Sequence, residues 1–316
     1  MTRSIRAFGK ARLLEATCFL QRDHLPLRVP PATDNASSST AESAAWSDPQ
    51  LADPHGQVDK PGRVRRMFAA IAPSYDLNNR VHSLWMDQSW RRAAVRAADM
   101  QPTDTVLDVA CGTGDLTLAF AKRLKQLNGA RAGEPDRAGP DDAPTAPPRV
   151  LGLDFTYEML PLARRKAASA PGGDACVWLN GDAMQLPLAD ASVDVVSIAF
   201  GIRNVADPAV AIGEFHRVLR PGGRLVILEF SLPTNRILRG IYNFYFTQVL
   251  PRTATLIARD RSGAYRYLPR SVNTFIDREK MVALMSGAGF SDVTVKALTF
   301  GIAVVYRGVK RESRTR

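Results

Sequence analysis

The feature that most constrains this chain is an alternation of short apolar runs with helical stretches across its middle. Apolar residues fill 105–110, 149–154, 176–180, 193–198 and 224–229, while helical patterns occupy 115–127, 159–169 and 209–219. Runs so short and so uniformly apolar are strands covered on both faces, and each intervening helix carries the chain back to start the next strand in parallel. The pattern predicts an α/β fold built on a parallel, doubly wound sheet with helices on both faces. A further helix over 277–286 precedes two runs, 293–297 and 303–307, that can pair as an antiparallel edge.

The flanks read differently. Residues 1–60 contain a polar, small-residue stretch from Pro30 to Thr40, followed by Pro49, Pro54 and Pro61. Such a composition buries too little surface to offset chain entropy, so a disordered N-terminal extension is expected. Arg3, Arg6, Lys10 and Arg12 among apolar residues resemble an organelle-targeting peptide, while Glu15 and Asp23 speak for an extended bacterial start instead. Residues 128–148, rich in Gly, Pro and charge, predict a flexible surface insertion within one domain spanning 61–310, with a tail at 311–316.

Composition narrows the partners. Three cysteines, Cys18, Cys111 and Cys176, are odd in number and far apart, which fits a reducing compartment and neither a disulfide framework nor a paired metal site. The formal net charge is +11, with local clusters such as Arg63, Arg65 and Arg66. No RNA-binding or helix-turn-helix signature accompanies them, so no nucleic acid is expected, and attraction to anionic lipid headgroups is preferred. No run approaches the roughly 20 apolar residues of a spanning helix.

Ligands of open α/β sheets bind beyond the carboxyl ends of the strands. The first strand ends in Asp108-Val-Ala-Cys-Gly112-Thr113-Gly114-Asp115, where the glycines permit a tight turn and close approach of a ligand to the backbone. A dinucleotide fingerprint would place a third glycine where Thr117 stands, and no P-loop lysine follows. Asp154 ends the second strand and is placed to accept hydrogen bonds from ribose hydroxyls. Gly181-Asp182-Ala183 follows the third, with Asp182 placed for an adenine amino group and Phe155 and Met184 for the faces of the base. Asp108 has a rival role, fixing the glycine loop. Each acid alone reads as a helix cap or turn residue; three strand ends of one design point to a nucleoside cofactor.

Together with Arg217-Val-Leu-Arg-Pro-Gly-Gly-Arg224, these motifs resemble a class I methyltransferase. Three segments narrow the match: Tyr75-Asp-Leu-Asn-Asn79 with Trp90-Arg-Arg92, Phe200-Gly-Ile-Arg-Asn-Val205, and 217–231. A fourth, from Asp260 through Tyr265-Arg-Tyr-Leu268 to Ser271, adds to it. Over about 64–310 the chain resembles the menaquinone and ubiquinone C-methyltransferases. It departs from that family's pattern at Asn78 (usually Met), Asp87 (often His), Ala199 (commonly Ser) and Arg220 (Lys).

The resemblance implies a Rossmann-like, doubly wound seven-stranded sheet, mostly parallel with an antiparallel edge strand. It implies S-adenosyl-L-methionine as methyl donor, held by Asp108, Gly112, Thr113, Gly114, Asp154, Phe155, Asp182 and Ala183, and no metal. The acceptor it implies is a prenylated quinol, naphthoquinol or benzoquinol. Arg203 is the expected electrostatic catalyst and Tyr75 its partner on the second oxygen, with Asn79, Asn204, Tyr242 and Tyr265 around the acceptor. His82 and His216 are weaker candidates for a base. The expected setting is cytoplasmic, with peripheral contact on the inner face of the cell membrane and scope for a homodimer or a quinone-biosynthesis complex. A methyltransferase for another small or lipid acceptor, or a non-catalytic nucleoside-binding module, are the competing readings.

Overall fold

The structure, a computed structural model, describes residues 46–132, 149–258 and 262–311. Most of the expected N-terminal extension and insertion, and all but the first residue of the tail, lie outside those residues. Four helices come first: α1 (Asp48–Ala52), α2 (Lys60–Ile71), α3 (Tyr75–His82) and α4 (Met86–Ala97). Then β1 (Val106–Val109), α5 (Asp115–Ala132), β2 (Val150–Asp154), α6 (Leu160–Ala167), β3 (Cys176–Asn180), β4 (Val193–Ala199), α7 (Pro208–Val218) and β5 (Leu219–Phe230) follow. Next, α8 (Arg236–Phe244), α9 (Leu250–Ala258) and α10 (Ala264–Asn273) fill the connection to α11 (Arg278–Gly287), β6 (Phe290–Leu298) and β7 (Ala303–Lys310).

The sheet runs β3-β2-β1-β4-β5-β7-β6. The winding reverses between β1 and β4, which opens a crevice at their carboxyl ends. Alternate residues divide the core between the two faces. Leu107, Val109, Val196, Ile198 and Ile227 pack with Phe215 of α7 and Met285 of α11. Val106, Val195, Val226 and Leu228 pack with Trp90 of α4 and Phe120 of α5 on the other face. Each such fully buried aliphatic side chain contributes roughly 1.5–3 kcal/mol. Asp207 caps α7, its carboxylate accepting from Ala209 N at 2.8 Å.

The last two strands pair as the expected antiparallel edge, with one detail of order added, and two further details differ from the sequence expectation. β7 pairs antiparallel with both β5 and β6, so the reversed strand lies one place in from the edge and β6 forms the edge. Burial explains the order: Ala303–Tyr306 are buried on both faces, whereas β6 is largely exposed past Phe290. The helix expected to stop at 127 continues as α5 to Ala132, into the first residues assigned to the insertion. Finally, packed structure begins before position 61. Trp46 is fully buried and stacks on Tyr267 at a centroid distance of 4.6 Å. With Leu51, Met67, Tyr242 and Phe246 it forms a third apolar cluster, above the carboxyl ends of the strands.

Candidate active site

The loop after β1 takes its shape from left-handed backbone at Ala110, Gly112 and Gly114, with φ of 51°, 55° and 83°. A side chain at Gly114 would also stand 2.6 Å from the Trp178 ring, so glycine is required there on two counts. Asp154 anchors this loop from β2: its Oδ2 accepts from Gly112 N at 2.7 Å and its Oδ1 from Thr156 N at 2.7 Å. Burial pushes its carboxyl up to about 6, against the pull of those two amides. Asp108, deeper still, accepts from Thr117 Oγ1 at 2.7 Å, and burial pushes it up to about 7.

Outside the loop lies a polar lock. Thr113 Oγ1 donates to Asp76 Oδ1 at 2.5 Å, and Lys166 Nζ reaches Asp76 Oδ2 at 2.8 Å as well as Asp115. The lock ties α3 to the glycine loop. On the far side Lys60 Nζ donates to Val205 O at 2.7 Å, and His55 Nε2 lies 2.9 Å from Ser271 O. Burial lowers Lys60 to about 8. Helices α2 and α3 are thus pinned across the crevice.

Two cavities open beneath them. The first, about 790 Å³, is lined by Gly112, Asp154, Phe155, Asp182 and Ala183, together with Val64 and Asn204. The second, about 960 Å³, is lined mostly by apolar and aromatic residues, from α2, α10, the segment following α8 and the strand ends, with Asn79, Arg203, Tyr242 and Tyr265 also in its wall. Phe68, Tyr75 and Phe200 line both. These three side chains form the partition.

Of the residues expected to hold a cofactor, the structure brings Gly112, Asp154, Phe155, Asp182 and Ala183 to one cavity. Asp108, Thr113 and Gly114 stand behind it, in the hydrogen bonds and packing that shape the loop. Asn204 lines the first cavity, not the second as expected of an acceptor contact, and accepts from the Tyr267 hydroxyl at 2.9 Å. Ala199 lines the first cavity without a hydroxyl to offer. His82 lines the second, bonded to Asn78 O and Thr253 Oγ1, each at 2.9 Å, and His216 packs on Phe290 away from both.

Arg203 is buried in an ion pair with Glu229, Nη1 to Oε1 at 2.8 Å, and also donates to Phe200 O at 2.6 Å and Ser271 Oγ at 3.3 Å. Its guanidinium lies 5.4 Å over the Phe230 ring. Among the described residues, none of its hydrogen bonds uses Nη2. Burial raises the Tyr75 hydroxyl, with Arg91 pulling the other way. Glu229, Arg91, Asn78 and Phe68 were not singled out from sequence as site residues. Asn78 Oδ1, Arg91 Nε and the Tyr242 hydroxyl are buried without a hydrogen-bond partner among the described residues, and all three residues line the second cavity. Orphans of this kind cost about 1–3 kcal/mol each unless a ligand satisfies them. Asn78 carried a signal, as a departure from the usual Met; Phe68 carried none, being one more apolar residue on a helix.

The sequence model of the ubiE/COQ5 methyltransferase family matches residues 57–310. The chain belongs to that family. Among ubiE/COQ5 relatives, it is 42% identical over 253 residues to a demethylmenaquinone methyltransferase of Deinococcus radiodurans, covering 80% of this chain and 95% of that one. It is 44% identical over 242 residues to a demethylmenaquinone methyltransferase of Thermus thermophilus, covering 77% and 99%. A ubiquinone/menaquinone biosynthesis C-methyltransferase of Geobacter sulfurreducens is 41% identical over 255 residues, covering 80% and 90%. As a ubiE/COQ5 member the chain is a methyltransferase, and the family implies S-adenosylmethionine as donor. The first cavity fits that group: a strand-end carboxylate keeps free lone pairs, and glycine backbone lines the wall.

Proposed function

We propose that this methyltransferase methylates a ring carbon of a prenylated quinol, either demethylmenaquinol or the 2-methoxy-6-polyprenyl-1,4-benzoquinol of ubiquinone biosynthesis. The observation that supports it is the pair of cavities divided by Tyr75 and Phe200, one ending on strand-end carboxylates and the other apolar and aromatic. The names of the relatives agree with this acceptor class.

The sulfonium of the donor supplies an already activated methyl group. The chain's tasks are alignment and exclusion of water. Asp154 would hold the ribose hydroxyls and Asp182 the adenine amino group, with Phe155 against the base. Tyr75 stands in the partition, where it can meet the acceptor's ring oxygen. A ring carbon ortho to a hydroxyl becomes nucleophilic as that hydroxyl loses its proton, and a fixed cation favours the phenolate. Arg203 supplies that cation, and Nη2 is the donor it leaves for the oxygen. Mass spectrometry of quinones from a deletion strain tests the reading. Accumulation of the demethylated quinone is expected; an unchanged quinone pool rejects it.

A further inference from the structure

We propose that α8 and the turn between α3 and α4 dock this protein on an anionic lipid surface, and that the acceptor enters the second cavity from that surface. On α8, Ile237, Ile241 and Phe244 are 75%, 64% and 66% exposed. Their spacing sets them on one helical stripe. The other side of the same helix is Tyr242, buried in the cavity wall, and the π-helical segment Tyr245–Val249 that follows turns Phe246 into that wall too. One helix therefore separates the acceptor cavity from an apolar outer face.

The turn adds a second apolar tip. Leu84 and Trp85 are 77% and 60% exposed, and both hold left-handed backbone, φ 50° and 60°. Non-glycine residues adopt this conformation only at a cost, and no burial of these side chains offsets it. The turn and the helical segment share one rim: the Tyr245 hydroxyl donates to His82 O at 3.2 Å, and His82 Nε2 lies 2.9 Å from Thr253 Oγ1.

Charge selects the occupant. From Phe230 to Arg259 the sequence has no Asp or Glu, while Arg236, Arg239 and Arg252 fall within it. The acid nearest the turn, Asp87, is buried and bonded to Ser83 Oγ and Arg91. An apolar stripe flanked by arginines, with an exposed Trp beside it, suits the headgroup boundary of an anionic bilayer. No helix among the described residues is long and apolar enough to cross a membrane, so the contact is peripheral. The entry route rests on the prenylated acceptor proposed above; the docking itself does not.

The test is co-sedimentation of the full-length protein with phosphatidylglycerol–phosphatidylcholine vesicles and with phosphatidylcholine alone. The wild type should sediment with the anionic vesicles, and the triple variant I237Q/I241Q/F244Q should bind them about ten-fold or more weakly. Arg236→Gln with Arg239→Gln should reduce binding to the anionic vesicles only. Calorimetry of S-adenosylmethionine and turnover of a short-chain, water-soluble quinol should be unchanged in the triple variant, which excludes misfolding. Its turnover of a long-chain quinol embedded in vesicles should fall. Wild type left in the supernatant, or a triple variant that binds like wild type, overturns the docking. So does a wild-type dimer in solution that the triple variant splits while neither binds vesicles. If the protein docks but methylates no quinol in either form, the acceptor assignment fails and the docking stands.

Discussion

Asp154 holds a backbone amide with each carboxylate oxygen, so the group proposed to meet the ribose is also the group that shapes the glycine loop. Asp154→Ala should therefore abolish cofactor binding in calorimetry through both effects, whereas Thr113→Val should weaken it less. Asp108 has a different consequence. Its carboxyl sits at about 7 in the folded chain against 3.8 in the unfolded one. The folded state binds that proton more tightly, so the associated stability is complete below the unfolded value and is lost as pH rises through about 7. Melting temperatures of wild type and Asp108→Asn should accordingly diverge in the variant's favour between pH 4.5 and 7.5. Arg203→Ala should lower turnover without changing cofactor affinity. It should also destabilise the fold by about 3–5 kcal/mol, because Glu229 is left as an unpaired buried charge. Chemical denaturation measures that cost, and Arg203→Lys, which keeps the charge, should recover stability more than rate. The placement of Asp154 and Asp182 was legible because a strand's end is visible in the chain itself. The Arg203–Glu229 pair was not, because only the adjacency of β4 and β5 brings those residues together.

At the scale of elements, periodicity named every strand of the parallel half and left the ends uncertain by a few residues. It did not reveal that β7 slips inside β6, since that order depends on which strand finds cover on both faces. Nor did it reveal α1. Pro49, Pro54 and Pro61 make that segment look irregular, and Trp46 finds its burial against residues far along the chain, among them the Tyr267 ring, Tyr242 and Phe246. Trp46→Ala should cost about 3–5 kcal/mol, read from the denaturation midpoint, with Trp46→Phe costing much less. Because Lys60 and His55 follow on the same segment, the variant should also loosen the cover over the first cavity and weaken cofactor binding.

Across the described residues, the sheet is a floor and helices α2 and α3 are a roof, held by polar contacts at its margins and, for α2, by the third apolar cluster. Hydrogen exchange should show the roof slowing when S-adenosylmethionine binds, with residues 60–82 protected while β4 and β5 stay unchanged. The partition of Phe68, Tyr75 and Phe200 has a consequence for inhibitor chemistry. A wall one side chain thick lets a single compound reach through it: an adenosine head joined by a short thioether bridge to a naphthol would fill both sides at once. Tethering would give its second half a high effective concentration, so the joined compound should outcompete an equimolar mixture of its two fragments.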